Sequence, residues 1–273
     1  GAAAGHRAQG GGAVGRAYDP DTEVTITAGA TQALLTALLA VVHPGDEVIV
    51  LEPCYDSDVP GIELAGGVAV RVPLGEDFRP DWTRIAAALT PRTRAILFNT
   101  PHNPSGTAWR TDDLHALWAL LNDTEVLLIG DEVDEHMVYD GRPHASLATH
   151  PGLAARSFIV SSFGKTYHVT GWKVGYCLAP QPLMAEFRKV HQFNVFTVNT
   201  PMQHALAAYM ADPAPYLGLS AFYQAKRDQT LDEALRRLAR LRSFPLGQRL
   251  VQTLDADGVR GAQLLREQAH AQL

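Results

Sequence analysis

The chain has 273 residues, 46% of them hydrophobic and 19% charged, with a formal net charge of −6. That length holds one large domain, or one domain with a small appendage, and a sizeable core. No apolar run is long enough to span a bilayer and no basic footprint is present, which excludes a transmembrane helix and argues against a nucleic-acid partner.

The first 17 positions, with Gly10-Gly11-Gly12 among small residues, offer little to pack, and poor order is expected there. The start Gly1-Ala2-Ala3-Ala4-Gly5 has neither an initiator methionine nor a signal-peptide pattern and reads as that of a fragment. From there, strand-like runs alternate with helical ones. Glu23 to Thr27 is followed by a helix from Thr31 to Val42 that opens at a glycine turn and stops at His43-Pro44-Gly45. Strands are expected at Glu47 to Leu51, Val68 to Val72 and Ala95 to Asn99, then a helix to about Leu121 capped by Thr111, Asp112 or Asp113. Further strands fall at Val126 to Gly130, Phe158 to Ser161 and Val174 to Leu178, and a third helix at Pro182 to Phe193.

Several of these strands are continuously apolar, as strands covered on both faces are, so the alternation describes a doubly wound α/β sheet over residues 18–215. Charges and leucines at helical spacing make 216–241 a long amphipathic linker helix, and 242–273 an atypical tail too short for an ordinary domain. Cys54 and Cys177 lie far apart in apolar contexts, which suits a reducing compartment; a cytoplasmic location is expected.

Candidate chemistry gathers at strand ends. Gly29-Ala30-Thr31 opens a helix after a strand, so it is either an anion site built from free N–H groups or simply a tight turn. Asn99 and Asn103 flank a sharp turn after another strand. Asp131 puts a carboxylate at the carboxyl end of a buried strand, where open α/β sheets bind ligands, unless it only caps a turn. Lys165 is one of four lysines among 23 basic residues, and a primary amine can form a Schiff base where a guanidinium cannot. Ser162 precedes it and Lys173 follows, so two amines and a hydroxyl can converge on one anion. Gly164-Lys165-Thr166 is no Walker loop, because the upstream glycine would fall at Ile159. The acids Asp131, Glu132, Asp134 and Glu135 with His136 lack the spacing of a metal site, and none is expected.

Taken in order, Thr27-Ala28-Gly29-Ala30-Thr31, Asn99 through Gly106, Gly130-Asp131-Glu132-Val133 and Ser162-Phe163-Gly164-Lys165-Thr166 resemble class I pyridoxal-phosphate aminotransferases over about residues 18–235. The stretch from Phe163 to Tyr176 is most similar to the methionine and kynurenine branch. The resemblance implies an α/β large domain, a mostly parallel sheet sandwiched by helices, with an incomplete or missing small domain. It also implies pyridoxal 5'-phosphate as cofactor, amino-acid and 2-oxo-acid substrates, and a homodimer. By the same resemblance Lys165 is the internal aldimine lysine and Asp131 the partner of the pyridine nitrogen. Gly29, Ala30, Thr31, Ser162 and Lys173 hold the phosphate, Tyr55 stacks on the ring, and Asn103 contacts the phenolic oxygen.

Departures from the family pattern are equally specific. Asp134 stands where a tyrosine is usual, and an ionised carboxylate there repels the phenolate; Asp58 replaces an expected aromatic. Neither an N-terminal closing segment nor a small-domain arginine is recognisable, and the surroundings of Arg260 do not match the arginine motif. Transamination of a methionine-type or aromatic amino acid is the leading expectation. The alternatives are a carbon-sulfur β-lyase of the same fold, or a truncated chain that binds cofactor with little or no activity.

Overall fold

A computed structural model describes residues 15–242. Two compact units divide it: the chain through Val138 together with Pro143–Leu217, and Tyr139–Arg142 together with the chain from Gly218 onward.

The first unit is built on one sheet of seven strands: β1 (Val24–Thr27), β2 (Glu47–Glu52), β3 (Val68–Pro73), β4 (Thr93–Asn99), β5 (Leu127–Asp131), β6 (Ser157–Ser162) and β7 (Gly175–Leu178). Their order is β1-β7-β6-β5-β4-β2-β3, parallel from β3 to β6, with β7 antiparallel to both β6 and β1. Each expected strand is present with its ends moved by no more than two residues.

Alternation within the strands creates two cores. On one face Val48, Val50, Ala95, Leu97, Ile129, Phe158 and Val160 meet Ala33, Leu34, Ala37 and Leu38 of the Ala30–Val41 helix and Met184 and Phe187 of the Gln181–Asn194 helix. On the other, Ile49, Leu51, Ile96, Phe98, Leu128 and Ile159 pack on Leu114, Leu117 and Leu121 of the Thr111–Leu121 helix. Neither face is left to water, which is why the central strands are apolar throughout.

Sequence pattern missed the Asp58–Leu64, Trp82–Ala88 and Thr200–Tyr209 helices. The first two have seven residues each, too few to show a 3.6-residue period. Local signals were present all the same: Asp81 accepts from the N–H groups of Thr83 and Arg84, and Asn199 accepts from Met202 ahead of a first-turn proline. The expected cap of the Thr111–Leu121 helix needs correction. Arg110 occupies the cap position, and Asp113, inside the first turn, accepts from the Arg110 N–H at 2.7 Å. Burial of Asp113 explains the choice, since the same carboxylate takes both bonds of the Arg79 guanidinium at 2.7 and 2.8 Å.

The expectation of poor order over the first 17 positions also changes. Residues 1–14 lie outside the described residues, but Arg16 donates its N–H to the Ala148 carbonyl, bonds Glu23 through its guanidinium and sits over the Tyr18 ring. In the second unit the expected long helix is found at Leu219–Arg242, later in its start than residue 216, and Arg227 grips Asp140 through two bonds of 2.7 Å. The tail 243–273, Arg260 included, lies outside the described residues. Among the described residues no helix is long and apolar enough to cross a membrane.

Asp113→Ala should cost about 2–3 kcal/mol, because it leaves Arg79 and the Arg110 N–H without their shared acceptor. Urea unfolding checks this; an unchanged midpoint contradicts the role given to Asp113.

Candidate active site

Sheet register brings the candidate residues to one edge. Asn99 pairs with Asp131 across β4 and β5, Asp131 with Val160 across β5 and β6, and Gly175 is partnered by both Ser162 and Thr27. Because β7 runs against its neighbours, its beginning lies at the ends of β1 and β6. Lys173, just before β7, therefore arrives where Gly29-Ala30-Thr31 and Ser162 already are.

At the anion side, Gly29 adopts φ 83°, a left-handed value that favours glycine, and its carbonyl accepts from the Thr27 hydroxyl at 3.0 Å. The helix that follows has no acidic residue in its first turn, so the N–H groups of its first turn and its positive dipole end face no carboxylate on their own helix. A Cβ on Gly29 would lie 3.8 Å from Lys173 Cδ, so the lysine stem runs beside the turn. A Cβ on Gly175 would come within 2.8 Å of the Ser161 carbonyl oxygen and 2.9 Å of the Gly29 carbonyl carbon. Gly175 is thus what lets the turn approach the sheet, a site role that its place inside a strand concealed.

Lys165 lies in a single helical turn, Phe163–Thr166, that springs from the end of β6, and it is exposed. Ser162 caps this turn: its hydroxyl accepts from the Gly164 N–H at 3.0 Å and approaches the Val174 carbonyl at 3.5 Å. Both His168 and Lys173 in the following loop have left-handed backbones, φ 57° and 53°.

Asp131 accepts from the Val133 N–H at 3.0 Å. Burial pushes its carboxyl up to about 7, with the charges of Asp58, Asp134 and Glu132 adding in the same direction. Asp58, itself buried, is raised to about 6 by desolvation. Asp134 is raised by burial while the Lys165 charge opposes the shift, so these two groups act on one another in the site. Asn99 is a brace: its amide donates to the Asp131 carbonyl at 3.0 Å and accepts from the Asn103 N–H at 2.6 Å. That leaves the Asn103 side chain exposed beyond it. Tyr55 follows β2 on a connection whose neighbours Cys54 and Asp58 line a small pocket with Asn99 and His102; its ring is 42% exposed.

The acid run splits into two functions. Glu132 is fully buried, bonding His144 Nε2 at 2.9 Å and the Leu147 N–H at 3.0 Å. Glu135 accepts from the Ser161 hydroxyl and the Tyr176 phenol, each at 2.7 Å. The two glutamates bond groups inside the fold, while the two aspartates carry raised proton affinity.

One sheet edge thus holds an exposed primary amine, a desolvated carboxylate and a cationic cradle of backbone N–H groups. That set has the chemistry to hold a phosphorylated aromatic aldehyde with a basic ring nitrogen, as an α/β domain built for Schiff-base chemistry would.

Comparison with known proteins narrows the class. The model of the family "Aminotransferase class I and II" matches residues 11–267, and the chain belongs to that family. Proteins of this family are pyridoxal-phosphate dependent. Methionine aminotransferase of Escherichia coli is 53% identical over 212 residues, 77% of this chain and 55% of its own length. Kynurenine–oxoglutarate transaminase 1 of mouse is 36% identical, covering 80% of this chain and 54% of its own. A crystal structure of an Escherichia coli methionine aminotransferase superposes with a TM-score of 0.81 at 50% identity, over 86% of this chain and 62% of that one. The chain spans about half the length of the curated relatives it matches.

Two substitutions probe the site. Gly175→Ala should destabilise the protein by about 1–3 kcal/mol and loosen the anion cradle, since the added methyl meets backbone atoms; a variant with unchanged Tm and phosphate affinity contradicts this. Asp131 gives up its proton near pH 4 when unfolded and near pH 7 when folded, so its burial removes stability as pH rises through that window. Asp131→Asn should therefore unfold at a higher Tm than the parent at pH 8 and at a similar Tm near pH 4. Parallel Tm curves for the two proteins across pH 4–8 rule out this account of the carboxylate.

Proposed function

We propose that this chain carries the cofactor site of an aminotransferase that moves an amino group from a methionine-type or aromatic amino acid to a 2-oxo acid. The observation that carries the reading is the meeting of Lys165, Asp131 and the Gly29–Lys173 cradle at one sheet edge. The substrate class rests on the names of the similar enzymes, a methionine aminotransferase and kynurenine–oxoglutarate transaminases.

In this reading pyridoxal phosphate, when bound, supplies the electron sink that makes the substrate Cα–H acidic. Residues 18–215 form the domain that holds it, and the Leu219–Arg242 helix is the linker. Lys173 Nζ and the Ala30 and Thr31 N–H groups take the phosphate beside Gly29, and the Ser162 hydroxyl joins them by turning its proton away from the long Val174 contact. Asp131 holds a proton on the ring nitrogen, its own high proton affinity offset by that positive charge. Tyr55 covers one ring face and Asn103 donates to the phenolic oxygen. Lys165 Nζ would hold the cofactor through its aldehyde and, when free as an amine, would carry a proton to and from the substrate Cα.

A homodimer is part of the reading. Phe193 and Phe196, 87% and 74% exposed near the end of the Gln181–Asn194 helix, give apolar surface that a second copy would cover. A cytoplasmic setting is supported by the two free thiols of Cys54 and Cys177.

Incubating the purified chain with pyridoxal phosphate and reducing with borohydride should place the phosphopyridoxyl mass on Lys165, and Lys165→Arg should abolish it. Labelling spread over Lys189 and Lys226 instead would falsify the assignment. Amino transfer from methionine to a 2-oxo acid, absent in the Lys165→Arg protein, tests the activity.

A further inference from the structure

Glu135 links the three segments that bear the proposed cofactor residues. It lies four residues after Asp131, in the turn that leaves β5. Its Oε1 accepts from Ser161 Oγ at 2.7 Å, and Ser161 lies in β6 four residues before Lys165. The same oxygen accepts from Tyr176 Oη at 2.7 Å, and Tyr176 lies in β7 three residues after Lys173. Ser161 and Tyr176 are also direct register partners, so their two hydroxyl groups meet at one point between adjacent strands. Both residues are almost completely buried, and water competes little for these bonds.

Backbone bonds alone do not make this link. The turn is held to β6 by the Glu132 N–H on the Val160 carbonyl at 2.8 Å, and β6 to β7 by their ladder. Neither bond ties the turn to β7, which the Glu135 oxygen does by accepting from β6 and β7 together. A hydroxyl bonded to an ionised acceptor makes a shorter, stronger contact than a neutral pair, which suits a carboxylate to this junction.

We propose that Glu135 is a positioning residue that fixes the spacing between Asp131, Lys165 and the Lys173 cradle, and so sets how well the chain discriminates a phosphorylated aldehyde from its unphosphorylated analogue. The second half of this statement rests on the cofactor reading given above; the first does not. A phosphorylated ligand must reach the amine and the cradle together, whereas an unphosphorylated one needs the amine alone. Loosening the junction therefore weakens the former more than the latter.

Two measurements on the full chain separate these parts. Without ligand, Glu135→Ala should raise amide hydrogen exchange together in three peptides, those containing residues 131–138, 158–166 and 173–178, while β2 and β3 keep their protection. Glu135→Gln, whose amide oxygen still accepts both hydroxyl protons, should restore most of it. Loosening confined to the 131–138 peptide overturns the junction. With ligand, the ratio of borohydride-trapped pyridoxal phosphate to trapped pyridoxal on Lys165 should fall about tenfold in Glu135→Ala and stay within about threefold of the parent in Glu135→Gln. A merely destabilised protein lowers both adducts alike and leaves the ratio unchanged, which overturns the discrimination. If the parent traps neither compound at Lys165, the cofactor reading fails and the exchange data alone decide the junction.

Discussion

The placement of β7, antiparallel between β1 and β6, is the constraint on which the site depends. In a wholly parallel sheet the beginning of a strand lies at the edge opposite to the ends of its neighbours. Reversing one strand brings Lys173 to the edge where the helix starting at Ala30 opens and where Lys165 leaves β6. The register is as important as the direction. With side chains alternating along the strand, a slip of one residue in β7 would turn Tyr176 and Leu178 to the opposite core and move Gly175 away from Gly29.

Burial then divides the work among the acids. Glu132 and Glu135 stand three positions apart in the turn that leaves β5, and each spends its oxygens on neutral or histidine donors inside the protein. Asp131 and Asp134 receive less compensation, and desolvation leaves both carboxyl groups with raised proton affinity. A desolvated carboxylate short of partners weakens the empty fold and, in the proposed reading, strengthens the binding of a cationic ring. The same carboxylate thus opposes folding and favours ligand, as is common where function and stability meet.

Much of this was legible in sequence, for reasons that differ by element. Strands such as Val48 to Leu51 and Phe158 to Val160 read clearly because both faces are covered and no polar residue interrupts them. The shared position of the proposed site residues was legible because strand ends of a parallel sheet share an edge: Asn99, Asp131 and Ser162 each end a strand and need no knowledge of helix packing to be brought together. Short helices escaped because seven residues carry less than two turns of periodicity. The cap at Arg110 escaped because the demand of Arg79 on Asp113 spans 34 positions. Glu135 and Gly175 were invisible for a similar reason. Their roles lie in what approaches them from other strands, and nothing adjacent in the chain announces it.

Lys173 shows what such a site asks of the chain over time. Its backbone sits in the left-handed region at φ 53°, where a side chain costs about 1 kcal/mol or more and glycine costs nothing. Glycine is therefore the residue toward which this position would drift if only the endurance of the fold were under selection. A lysine on such a backbone sets reach against endurance: its ammonium is available to the proposed anion only at that cost to the fold.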